Sequence, residues 1–226
     1  MTQLDKILSN IKKAGTKRIP QNAKDLSGAK KTFLLIADSM IKAIDEKSSF
    51  ENNSNIDKEI DFLLKWTSGD DHEGVNKNKG FIFKGETGKG KSFLFNIWIQ
   101  FLKTVEIKYS KDGENIRINP NLVNVKRISG EYKDPKTGGY NVILKYSKMS
   151  CLILDDIGTE DEKSKQYGNG VNIIEEIINL REEKGLLTFG TTNVNEMKKL
   201  YDDRTFSRMK RLFDVRVIEH DKDFRL

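Results

Sequence analysis

The sequence predicts an α/β fold, a parallel sheet flanked by helices, with a small helical region ahead of it. Three observations carry that prediction. From Gly80 onward, short apolar runs alternate with stretches of helical period, as when strands are joined by crossover helices. The first run leads into Gly85-Glu-Thr-Gly-Lys-Gly-Lys-Ser92, and a later one, Leu152-Ile-Leu154, ends in Asp155-Asp156. Ahead of Gly80 the apolar residues recur at helical spacing.

Taken in order, Leu4, Ile7, Leu8 and Ile11 mark an amphipathic helix over 3–13, followed by a linker, 14–27, holding Gly15 and Pro20. Phe33, Leu34, Ala37, Met40, Ile41 and Ile44 mark a second helix over 29–46. A third follows the polar turn 51–55, with Asn55 as its expected N-cap and Ile56, Ile60, Leu63, Leu64 and Trp66 on its apolar side. The polar stretch 68–79 is a boundary loop. Strands are then expected at 81–83, 122–128, 151–154, 186–189 and 215–218. Helices are expected from Lys91 to about Tyr109 and over 141–148, 170–184 and 195–201. There is no internal repeat and no low-complexity tract. The expected division is a helical partner-binding region with linker, 1–55, and an enzymatic domain, 56–226.

Gly85 to Ser92 matches G-x-x-x-x-G-K-[ST] and lies where it must, between a strand and a helix. Gly85, Gly88 and Gly90 let the backbone amides of a loop that also includes Glu86, Thr87 and Lys89 turn inward as an anion nest. The following helix adds its free N–H groups and positive end. Lys91 reaches the β- and γ-phosphates of a nucleoside triphosphate, and the Ser92 hydroxyl is a ligand for Mg²⁺. In Leu152 to Asp156, carboxylates stand at the C-terminal end of an apolar strand, where parallel sheets bind ligands. Asp155 is the expected Mg²⁺ holder and Asp156 the general base for the attacking water. Asp156 is shorter than the Glu usual in that role.

Composition narrows the class. The chain has 226 residues, of which 36% are hydrophobic and 33% charged, so a soluble globular protein is expected. Its longest apolar run, Phe33 to Ala37, is too short for a bilayer, and no export signal follows Met1. The single Cys151 excludes an internal disulfide and fits a reducing cytosol, so a cytoplasmic location is expected. There is no Asn-Lys-x-Asp guanine motif and no arginine-rich lid of a nucleotide kinase, and 128–132 only faintly echoes an ABC signature.

The net charge of +6 is unevenly spread: residues 1–33 hold eight Lys and Arg against two acids, and 80–150 thirteen against six. In the second segment Lys126, Arg127, Tyr132, Lys133, Lys136, Tyr140, Lys145, Tyr146 and Lys148 interleave cations with aromatic rings. That is a pattern for single-stranded nucleic acid, or else a solvated insertion around Pro135 and Gly138-Gly139.

In the last third, Ile177 to Asn193 places Thr-Thr-Asn at a strand end, and Tyr201 to Arg211 brings Arg204, Arg208 and Arg211 together. With Leu152 to Gly158 and the loop, these residues resemble the AAA+ ATPases of the DnaC/DnaI-type helicase-loader group, over about 56–226 and least over 110–150. The final Asp221 to Arg225 resembles the family's usual ending. The resemblance implies a P-loop NTPase with an AAA+ core and no C-terminal lid, ATP and Mg²⁺ as cofactors, and slow, assembly-dependent hydrolysis. Asn193 matches the sensor-1 position. Ser207-Arg208-Met209 looks like the motif whose arginine reaches a neighbouring subunit's nucleotide, which implies self-association, with Arg204 and Arg211 as rivals. A salt-bridged surface helix is the alternative for that cluster. The implied partners are a replicative helicase, bound through residues 1–50, and single-stranded DNA. An IstB-like transposition helper shares the signature, and an interaction module with little turnover is the third option.

Overall fold

The computed structural model describes residues 17–19, 26–111, 114–160, 164–166 and 169–219. The helix expected over 3–13 and the ending 221–225 lie outside them. Of the expected linker, only a short strand and the opening of the first helix lie within. The strands are β1 (Lys17–Ile19), β2 (Gly80–Lys84), β3 (Lys108–Lys111), β4 (Glu114–Arg117), β5 (Asn121–Asn124), β6 (Cys151–Ile157), β7 (Ser164–Gln166), β8 (Asn169–Val171), β9 (Leu187–Thr192) and β10 (Phe213–Val217). The helices are α1 (Leu26–Lys42), α2 (Ser54–Ser68), α3 (Lys91–Val105), α4 (Val125–Lys133), α5 (Tyr140–Ser147), α6 (Ile173–Glu183) and α7 (Asp203–Leu212), with one 3₁₀ turn at Met197–Lys199. Among the described residues no helix is long and apolar enough to cross a membrane.

The chain packs as two units. The first comprises the described residues up to Asn78 together with Ile97–Asn119. The apolar sides of α1 and α2 supply Phe33, Ala37, Ile60, Leu63 and Trp66 to its interior, beside Trp98 and Phe101. Trp66 meets Trp98 edge-on at 5.5 Å, and the Trp98 indole N–H donates to Thr67 Oγ1 at 2.9 Å. A buried Trp nitrogen needs such a partner, so this contact fixes the ring orientation. Helix α2 is capped two residues before the expected position. Asn53, not Asn55, caps it, its side chain accepting from the amides of Asn55 and Ile56. The helix from Lys91 stops at Val105 rather than near Tyr109, because Lys108–Lys111 pairs antiparallel with both β1 and β4.

The second unit comprises Lys79–Asn96 and the described residues from Pro120 on. Its sheet runs β10-β2-β9-β6-β5, every pair parallel. Side chains alternate across it. Phe81 stacks on Phe95 and meets Phe189 edge-on, at 5.6 and 4.9 Å, forming an aromatic layer. Ile82, Leu152 and Leu154 join Ile128, Ile143, Ile174 and Ile177 in the main core. Gly80 has to be glycine here, since a Cβ would lie 1.6 Å from the Thr188 carbonyl oxygen of β9.

Several elements differ from expectation. The strand expected over 122–128 ends at Asn124, whose side chain accepts from the Lys126 amide and starts α4. The helix expected from Gly170 starts at Ile173, capped by Asn172, because Asn169–Val171 pairs with β7. The helix expected over 195–201 contracts to the 3₁₀ turn. Tyr132 and Tyr146, read as stacking surfaces, are buried in the core of α4–α6, and only Tyr140 of the three tyrosines is exposed.

Candidate nucleotide and metal site

The phosphate loop leaves β2 at Lys84 and closes where α3 opens at Lys91. Its first residue is pinned to the neighbouring strand, the Gly85 N–H donating to the Thr192 carbonyl at 3.1 Å. Gly88 and Gly90 hold φ values of 83° and 79°, the left-handed region that only glycine adopts without strain. Glu86 and Thr87 form the exposed tip, and Lys89 Nζ lies 3.9 Å from Glu86 Oε2. Lys91 is 5% exposed, and its ammonium curls back over the loop to donate to the carbonyls of Gly85 and Glu86, at 2.7 and 2.6 Å. A cation is thereby held over the loop, beside the N-terminus of α3, where an anion gains both dipole and charge.

The strand order determines what faces the loop. Strand β9 lies between β2 and β6, so its C-terminal end meets the carboxylates of β6 on one side and the phosphate loop on the other. Ser92 Oγ donates to Asp155 Oδ1 at 2.7 Å. Thr191 Oγ1, fully buried in β9, donates to the same Asp155 oxygen at 2.7 Å and accepts the Asp156 N–H at 2.8 Å. Asp156 sits in the register shift between Leu154 and Ile157 with φ 61°, a left-handed conformation costing roughly 1–2 kcal/mol for a non-glycine residue. That backbone is held by its neighbours. Thr159 donates to the Asp156 carbonyl through both its amide and its hydroxyl, and Asn124 Nδ2 donates to Asp156 Oδ2 at 3.0 Å.

Beyond the bulge, Glu160 clasps the turn by accepting from the Gly158 amide at 2.7 Å and from the Tyr201 hydroxyl. Burial, reinforced by the Glu160 carboxylate, pushes the Tyr201 phenol above its ordinary pKa, so it stays a donor. Asn193 follows β9 directly, and its side-chain Oδ1 is buried without a hydrogen-bond partner.

These features fit a bound nucleotide and cation. An orphaned amide oxygen is costly unless something polar occupies the site. Among the described residues no three His, Cys, Asp or Glu side chains gather as a metal cage. A cation here would be held by Ser92 and Asp155 with nucleotide phosphates completing its shell, the usual arrangement for Mg²⁺.

Arg208 stands apart from this group. It is 9% exposed and is occupied within its own unit, donating to the Asn179 carbonyl at 3.0 Å and to Glu183 Oε1 at 2.8 Å. Arg211 pairs with Glu182 Oε1 at 2.7 Å. Both tie α7 to α6, which is the salt-bridged helix left open as the alternative. Arg204, in the first turn of α7, is exposed. Lys126, Lys133, Lys136 and Lys148 are exposed, while Arg127 and Lys145 converge on Glu131 at 3.0 and 2.9 Å.

Sequence reasoning missed Asn124, Thr191, Glu160 and Tyr201. Asn124 carried a signal, an Asn standing before a helical run, but the apolar Leu122-Val123 drew it into a strand. Neither a family model nor a curated protein matches the chain. Among solved structures it is similar to DnaI, at 21% identity and TM-score 0.56, covering 79% of this chain and 88% of that one. It is also similar to AMPPCP-bound DnaA from Aquifex aeolicus (14%, TM-score 0.53) and to a DNA replication initiation factor (16%, TM-score 0.52). Each of these two matches covers 78% of this chain and spans half of the other protein's length. At such identities the likeness is one of fold, and the fold of this chain is the AAA+ P-loop fold.

Proposed function

We propose that the protein is a magnesium-dependent ATPase of the DnaC/DnaI kind, acting in DNA replication as a loader of a replicative helicase and binding single-stranded DNA. One observation carries the ATPase part: Ser92 of the phosphate loop meets Asp155 of β6 across 63 positions of sequence, at 2.7 Å. A chance glycine-rich turn has no reason to present its terminal serine to a buried carboxylate at a strand's end.

On this reading the amides of Gly85–Gly90 and the α3 N-terminus hold the phosphates. Lys91 exchanges the carbonyls of Gly85 and Glu86 for β- and γ-phosphate oxygens. Ser92 and Asp155 hold Mg²⁺, whose contribution is to neutralise charge on the phosphates. Asp156 accepts the proton of the attacking water, and Asn193 orients that water through its otherwise unsatisfied Oδ1, or the γ-phosphate through its side-chain N–H. An arginine supplied by a second copy completes the site. Arg204, which is exposed, is better placed for that than Arg208, whose pair with Glu183 would have to open.

Helicase loading and DNA contact rest on the likeness to DnaI and to a DNA replication initiation factor, and on exposed Lys126, Lys133, Lys136, Tyr140 and Lys148. The test measures phosphate release by the full chain with and without single-stranded DNA, together with affinity capture of partners. Capture of a replicative helicase and DNA-dependent turnover support the reading. Capture of a transposase without a helicase turns it toward an IstB-like helper. A low-turnover module is the second reading, favoured by the short Asp156 side chain being already engaged by Asn124. Nucleotide binding without measurable phosphate release would select it.

A further inference from the structure

We infer that Thr191 is the positioning residue that couples the metal-holding carboxylate to the water-activating one. Its single hydroxyl has two partners and a fixed direction. A carboxylate only accepts and an amide N–H only donates, so Oγ1 must give its proton to Asp155 Oδ1 and take the Asp156 N–H on a lone pair. Asp155 Oδ1 has a second donor, Ser92, also at 2.7 Å. The role rests on the ATPase function proposed above. When Ser92 turns to the cation, Thr191 is the hydroxyl that remains on Oδ1, and the carboxylate keeps its orientation through loading. Thr191 Oγ1 also anchors the backbone amide of Asp156, at the point where β6 leaves its register and adopts positive φ. That anchor sets where the Asp156 side chain departs.

Fully buried β9 is the stiff support this arrangement needs, since all six of its residues are buried and it is paired on both sides. Neighbouring Thr192 does different work, donating to the Ile157 carbonyl and accepting from Val194, so the two hydroxyls are not interchangeable. Nothing in the Thr-Thr-Asn pattern itself distinguishes them.

The test compares wild type with Thr191→Val, which keeps the shape and removes both hydrogen bonds, and Thr191→Ser, which keeps the hydroxyl. Affinity for a fluorescent ATP analogue is titrated with and without Mg²⁺, and phosphate release is followed in parallel. The Mg²⁺-dependent gain in affinity and kcat should each fall about 10–100-fold in Thr191→Val, the usual loss when a metal ligand's support is removed. Affinity without Mg²⁺ should stay within about twofold, and Thr191→Ser should recover most of both losses. If the Val protein fails to fold, Thr191→Cys, similar in size with a weak donor, gives the same comparison. The inference is overturned if Thr191→Val matches wild type, if affinity falls equally without Mg²⁺, or if Ser rescues neither loss. A wild type that binds no ATP overturns the ATPase reading as well. One that binds and hydrolyses it while Thr191→Val is unchanged overturns this inference alone.

Discussion

Asn124 and Asp156 are joined by a hydrogen bond of 3.0 Å from the Asn amide to the carboxylate, and the same Asn caps α4 through its other side-chain atom, accepting from the Lys126 amide at 3.0 Å. One side chain therefore ends β5, starts a helix and holds the residue proposed to activate water. The two jobs are separable. Asn124→Ala loses both and should cost about 1 kcal/mol of stability from the cap. Asn124→Asp keeps an acceptor for the cap but sets a like charge against Asp156. It should fold normally and turn over ATP more slowly. Thermal melts paired with phosphate release check both.

Arg208 and Arg204 should behave oppositely. Removing Arg208 breaks charge-assisted bonds that join α7 to α6, so Arg208→Ala should destabilise the fold by roughly 1.5–3 kcal/mol. Arg204→Ala, at an exposed position, should stay within about 0.5 kcal/mol of wild type. On the proposed reading it should still lower turnover steeply at protein concentrations that favour assembly. Urea titrations and concentration-dependent kinetics distinguish the two.

Arg181 is fully buried and donates to the carbonyls of Tyr146, Met149 and Leu187 and to the Thr188 hydroxyl, at 2.6 to 2.9 Å. It fastens the turn after α5 to the opening of β9. Arg181→Met would leave several buried acceptors unsatisfied and should cost at least about 3 kcal/mol. Chemical denaturation measures this, with nucleotide affinity unchanged in whatever fraction remains folded.

Glu131 gives a pH test. Burial raises its pKa, but hydrogen bonds from Lys145, Tyr146 and Arg127 outweigh burial and hold the carboxyl below the usual range. A depressed folded-state pKa contributes stability above the unfolded pKa, and that contribution is lost as pH falls through the folded value. Glu131→Gln should therefore be less stable than wild type at neutral pH. The gap should close below about pH 4, the ordinary carboxylate range. Melting temperatures from pH 3 to 8 would show the convergence.

The phosphate loop and the Asp155-Asp156 strand were legible because each is a local pattern whose chemistry is written in consecutive residues. Strand order is not local. Only the insertion of β9 between β2 and β6 brings Thr191 to Asp155 and Thr192 to Gly85, and no spacing in the chain announces it. The bulge at Asp156 was likewise invisible, since Leu-Asp-Asp-Ile reads equally well as a regular strand end. Tyr132 and Tyr146 misled for the opposite reason. Interleaved with lysines they resemble a nucleic-acid surface, but helical period turns them inward and the lysines outward. Arg208 shows a further limit, because whether an arginine faces a partner or pairs within its own unit depends on Glu183, 25 positions away.

The most direct test of the central claim, that the loop and Asp155 form a working Mg²⁺-ATP site, is phosphate release by wild type, Lys91→Ala and Asp155→Ala under saturating ATP and Mg²⁺. Wild type should hydrolyse ATP, and each variant should lose about 100-fold or more, in line with removal of a main electrostatic contact to the reacting phosphates. Wild-type rates in either folded variant would contradict the account.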